Sequence, residues 1–127
     1  MKHATSTLLA ATALALTATT AVANENDAAM LKLASTSGCL TCHSVESGKP
    51  GPNGMAPIGP AWQDVAKQYR GKPGAQDFLT RVVLEGSSPY SSHWKGKVSG
   101  LSMPPNAVAI KETDARTLVS WILSLGQ

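Results

Sequence analysis

The two cysteines of this chain lie three residues apart, and a histidine follows the second: Cys39-Leu40-Thr41-Cys42-His43. A disulfide across this gap would close a very short loop and restrict the unfolded chain little. A thiol–disulfide redox pair belongs in a βαβ setting, which the flanking sequence does not offer. A structural zinc site needs four ligands. Beyond the motif the chain has only His93 and, near its start, His3. The chemistry that remains is covalent haem attachment, for which Cys-x-x-Cys-His is the signature. Two thiols about one helical turn apart can reach the vinyl groups on neighbouring edges of a porphyrin. The next residue then projects its imidazole to the iron on the same face.

The N-terminus reads as a leader. Lys2 and His3 give a short positive start, Leu8 to Leu16 form an apolar core, and Ala21-Val22-Ala23 is a small-x-small cleavage site. This order predicts a secretory signal over residues 1–23 and a mature domain over residues 24–127. A membrane anchor is the weaker reading, because threonines interrupt the segment and about 20 mostly apolar residues are needed to span.

Composition narrows the remaining classes. A chain of 127 residues is too short for a Rossmann enzyme with a substrate domain or for a TIM barrel. A formal charge of +3, with 15% charged residues, is too slight an excess to argue for nucleic-acid binding. The 11 glycines and 8 prolines all lie after residue 23. A small, loop-rich chain with little aliphatic material needs something else in its core, and a haem supplies it.

Helical periodicity appears in four places. Asn26 and Asp27 are candidate caps for a helix over Ala28–Ser37, with Met30, Leu31, Leu33 and Ala34 apolar and Gly38 behind it. Pro60 precedes a helix over Ala61–Tyr69, with Trp62, Val65, Ala66 and Tyr69 on one face. A third spans Ala75–Glu85, carrying Phe78, Leu79, Val82 and Val83 and stopping at Gly86. The last runs from Glu112 to Leu125, with Leu118, Trp121, Ile122 and Leu125 at helical spacing. Residues 44–59 and 86–106 are Gly/Pro/Ser-rich loops. No stretch alternates as a strand. The expected fold class is all-α, with about four helices and long loops wrapped around one covalent haem.

The chain resembles the small bacterial class I cytochromes c, which are soluble periplasmic one-electron carriers. Four pieces carry the resemblance, in order: Gly38-Cys39-Leu40-Thr41-Cys42-His43, Ile58-Gly59-Pro60-Ala61-Trp62, Leu101-Ser102-Met103-Pro104-Pro105-Asn106 and Trp121-Ile122-Leu123-Ser124. The resemblance implies a cytochrome c-like fold in which the first and last helices cross, with Leu33 and Ala34 packing against Trp121 and Ile122. The stretches Ser44–Gly59 and Glu85–Met103 look longer than in the shortest members.

The resemblance also implies a ligand set. Cys39 and Cys42 form thioethers to one haem c, and His43 binds its iron. The Pro60 carbonyl holds the other ring nitrogen of His43, although Pro60 is equally a helix-start proline. Met103 matches the distal ligand, and Pro104-Pro105 stiffens its segment. Met55, also in a loop, is the rival; Met30 suits a core role better, and His93 is a minor candidate. Arg81 and Trp94 match groups that contact the haem propionates, with a solvated helix face the plainer reading of Arg81. Asn106 either approaches the Met103 sulfur or caps the turn that follows.

The expected function is therefore electron transfer without enzymatic turnover, by a monomer that docks transiently on donor and acceptor redox proteins. Lys49, Lys95 and Lys97 lie in loops expected to rim the haem and steer an acidic partner, or are simply solvated. Neither nucleic acid nor stable membrane insertion is expected. Two other classes stay open: a ligand-binding or peroxidase-type haem protein, and a haem subunit held in a larger redox complex. Met103, by closing the iron, argues against the first.

Overall fold

The structure is a computed structural model that describes residues 19–126. Residues 1–18 of the expected leader lie outside the described residues. Four helices follow in order: α1 (Thr19–Thr36), α2 (Trp62–Tyr69), α3 (Ala75–Glu85) and α4 (Glu112–Ser124). Short 3-10 turns occupy Cys39–Thr41 and Pro52–Gly54, and there is no strand among the described residues. No described helix is long and apolar enough to cross a membrane.

Helix α1 begins well before the expected start at Ala28. Nothing in residues 19–27 breaks a helix, so Asn26 and Asp27 sit inside α1 and cap nothing. An Asx residue caps only where the chain ahead of it leaves helical geometry. The inward stripe of α1 is Met30, Leu33 and Ala34, at i, i+3 and i+4, with Ala34 fully buried, and Ser37 continues it just past the helix end. Leu31, also expected on the apolar face, is exposed. Gly38 turns the chain out of α1 at φ +75°.

Helix α4 is the hub and packs against α1, α2 and α3. Its buried stripe is Ala115, Leu118, Val119, Trp121 and Ile122. These join Ala34, Trp62, Val65, Val83 and Ile110 in one core, with Leu33 packed against it. Ala34, with Leu33 beside it, thus shares the core expected with Trp121 and Ile122, where α1 packs on α4. Trp62 and Trp121 meet edge to face at 5.8 Å between ring centroids.

The long loops are tied to the helices and to each other. The Trp62 and Gln63 N–H groups, orphans of the first turn of α2, donate to the carbonyls of Ser44 and Val45. The Gly59 N–H donates to the Cys42 carbonyl at 2.8 Å. Ser99 and Gly100 donate their N–H groups to the carbonyls of Pro57 and Ile58, at 2.8 and 2.9 Å. The two segments expected to be insertions therefore form a seam, and the Gly59–Cys42 bond ties one of them to the segment that carries the cysteines.

Candidate haem site

The Cys39–Thr41 turn starts directly after Gly38, and the His43 N–H donates back to the Cys39 carbonyl at 3.1 Å. This tight backbone brings Cys39, Cys42 and His43 to one cavity of about 440 Å³. Both thiols are free and partly buried. Burial pushes the Cys39 thiol up, with Cys42 adding to the shift against a backbone hydrogen bond that lowers it.

His43 Nδ1 lies 2.7 Å from the Pro60 carbonyl oxygen. A carbonyl only accepts, so Nδ1 carries the proton and donates. Burial pushes the imidazole pKa down, with the Pro60 contact opposing it. The ring is therefore neutral, with its lone pair on Nε2, the form a metal requires. The ring stacks on Trp62 at 5.9 Å. It also needs a glycine beside it: a Cβ on Gly59 would lie 2.8 Å from His43 Cε1. Pro60 thus lies outside α2, ahead of its N-cap Ala61 and not at the helix start expected of it, and its carbonyl holds the imidazole.

Met103 borders the same cavity and packs against the core. Met55 is 58% exposed and does not line the cavity. The Met103 backbone is fixed from both sides by Ser87: its N–H donates to Ser87 Oγ at 2.8 Å, and its carbonyl accepts from the Ser87 N–H at 2.9 Å. Gly86, at φ +86°, lets the chain approach, since a Cβ there would sit 2.8 Å from the Met103 carbonyl oxygen. Gly86, expected only as a helix stop, thus also makes room for Met103, and the sequence assigns no such role to Ser87 or Gly59. A glycine–serine pair leaving a helix toward a Met-Pro-Pro segment carries no local signal of that grip.

The other expected residues separate. Trp94, partly buried, and Arg81, exposed, both line the cavity. Arg81 belongs to neither ion pair among the described residues. The Asn106 side chain donates to the Pro104 carbonyl at 2.7 Å, and its own carbonyl accepts from the N–H groups of Ala109 and Ile110. It closes the turn and does not reach for the Met103 sulfur. His93 borders the cavity, but its Nε2 faces Lys97 Nζ at 3.2 Å. Lys95 lines the haem cavity, whereas Lys49 and Lys97 line an adjoining groove.

These residues fit a haem. The donor set is two thiols, a neutral imidazole and a thioether, and Gly59 and Gly86 leave room for backbone where a Cβ would collide. A fold whose described residues form helices and loops, with this set around one cavity, defines a small protein with covalently attached haem. It belongs to the cytochrome c family, whose profile, described as Cytochrome c, matches residues 31–126. Among its relatives is cytochrome c-551 of Allochromatium vinosum, 42% identical over 95 residues, which are 75% of this chain and 84% of that one. Cytochrome c-552 of Hydrogenobacter thermophilus is 34% identical, over 74% of this chain and 79% of its own. The crystal structure of Nitrosomonas europaea cytochrome c552 superposes with a TM-score of 0.58 at 34% identity, covering 75% of this chain and 98% of that one. The chain is a small class I cytochrome c, a haem-containing electron carrier with covalently bound haem c.

Proposed function

We propose that this protein is a periplasmic one-electron shuttle in which His43 and Met103 would hold the iron of a single haem c. When bound, the haem supplies one-electron chemistry at its iron. Cys39 and Cys42 tether the ring through thioethers. The Pro60 carbonyl keeps His43 in one tautomer and orientation, and Ser87 keeps Met103 from swinging away. A thioether is soft and neutral, so Met/His ligation raises the potential relative to two imidazoles. Arg81 and Trp94 stand beside the cavity as donors to the propionate carboxylates, which need partners if partly buried. The leader at residues 1–23 exports the chain, which then acts as a free monomer without enzymatic turnover. Brief docking at the haem edge suits a small, weak interface.

The observation that supports this reading best is that His43 and Met103 border one cavity, each already fixed by a backbone partner. Ligands held in place before the metal changes charge need little rearrangement when it does. Mass spectrometry of the exported protein should give the mass of residues 24–127 plus one covalent haem. The reduced protein should ignore carbon monoxide. A mass equal to the bare polypeptide would refute the attachment. Rapid carbon monoxide binding or peroxide turnover would instead favour an open iron and a ligand-binding role.

A further inference from the structure

The imidazole of His43 is one end of a chain of side chains that runs through the core to a surface carboxylate. His43 lies on Trp62 of α2, with ring centroids 5.9 Å apart and planes 23° from parallel. Trp62 meets Trp121 of α4 edge to face, at 5.8 Å and 83°. The Trp121 indole N–H then donates to Asp27 Oδ1 of α1 at 2.7 Å. Both tryptophans are buried, whereas Asp27 is exposed. An indole has one polar hydrogen, so this bond is the single directional hold on the Trp121 ring. Met30, Leu33 and Ala34 already pack α1 into the core, so the bond to Asp27 adds direction and not merely contact.

We infer that Asp27 is a positioning residue for His43, acting through the Trp121–Trp62 pair. The inference rests on the reading of His43 as a residue that would hold the haem iron, and adds to it what sets the imidazole plane. The Pro60 carbonyl fixes one ring nitrogen but leaves the ring able to tilt about that contact. The stacked face of Trp62 restricts the tilt. Aromatic pairs favour stacked and edge-to-face angles, so the plane of Trp62 follows that of Trp121. A hydrogen bond to a carboxylate is stronger than one between neutral groups, and it fixes how Trp121 turns in its slot. A close-packed interior passes such constraints on, because no void lets one ring turn alone. Outer partners of a ligating histidine orient it and raise its basicity. Loosening the chain at Asp27 should therefore weaken the grip of Pro60 on Nδ1, make the imidazole a poorer electron donor and favour the reduced state.

The test compares the Asp27→Ala, Asp27→Asn and Arg70→Met holoproteins with the unchanged chain. Asp27→Ala removes one exposed side chain and one hydrogen bond, and leaves the apolar packing of α1 in place. It should raise the reduction potential and shift the His43 ring-proton resonances. Asp27→Asn keeps an oxygen that accepts from the indole, and should restore most of both. Arg70→Met loosens the end of α4, whose Leu123 and Gly126 carbonyls Arg70 binds, and should leave both unchanged. In a Trp121→Phe background, which lacks the indole N–H, Asp27→Ala should have no further effect. An unchanged potential in Asp27→Ala, or an equal change in Arg70→Met, would overturn the inference and leave Asp27 as a strap between α1 and α4. A change that Asp27→Asn does not reverse, or that persists in the Trp121→Phe background, would overturn it too, since the charge would then act directly. The covalent haem mass and the sulfur-to-iron charge-transfer band of the unchanged chain report separately on the ligand reading.

Discussion

Ser87 and Met103 exchange a reciprocal pair of hydrogen bonds across sixteen positions of sequence, one through a side-chain hydroxyl and one between backbones. The residue that delivers a thioether to the cavity is thus anchored to the end of α3, which packs on α4. Position at the cavity is set by the helical core and not by the loop alone.

Removing the Ser87 hydroxyl leaves the Met103 N–H without its partner, at a cost of about 1–3 kcal/mol. Ser87→Ala should lower the temperature at which the oxidised protein loses its sulfur-to-iron charge-transfer band. Global unfolding, followed by far-ultraviolet circular dichroism, should move less. Equal shifts of both would assign Ser87 to general stability.

Met103→Ala should abolish that band, and Met55→Ala should leave it intact. Met55 is exposed and lies off the cavity. Loss of the band in the Met55 variant alone would reverse the ligand assignment.

A methyl group at position 59 has no room beside the imidazole, and the nearest atoms belong to the ring itself. Gly59→Ala should displace His43 from the Pro60 carbonyl. The expected readout is a shifted reduction potential with altered histidine proton resonances. At Gly86 the same change meets backbone, at a φ and ψ (+86°, 177°) that favour glycine. Gly86→Ala should cost about 1–3 kcal/mol in denaturant unfolding and weaken Met103 ligation with it.

Arg70, at the end of α2, donates to the carbonyls of Leu123, Leu125 and Gly126. A cation here meets the unpaired carbonyls and the negative end of α4. Arg70→Met should destabilise the holoprotein by about 1 kcal/mol in chemical unfolding, while the haem spectrum stays unchanged. Arg70→Lys should recover only part, having lost the planar fork of donors.

The Cys39-Cys42-His43 motif and helices α2, α3 and α4 were legible in the sequence because their causes are local. Helix α3 has the bounds read from Phe78, Leu79, Val82 and Val83, and α2 and α4 differ by one residue at one end. A 3.6-residue apolar period, with glycine and proline as stops, is written in neighbouring residues. The His43–Pro60 contact was legible only through the resemblance, since the partners lie seventeen positions apart across a loop.

Tertiary structure alone decided the rest. Asp27 looked like a helix cap, but it lies inside α1 and accepts from the Trp121 indole N–H at 2.7 Å, 94 positions away. Ser87, expected as loop, holds Met103, and Lys49 and Lys97, expected at the haem rim, line an adjoining groove. Their roles depend on which distant segments meet once α4 gathers the other helices, and on the Pro57–Ile58 to Ser99–Gly100 seam between two loops. Hydrogen-bond partners of that kind are chosen by three-dimensional proximity, which local composition does not encode.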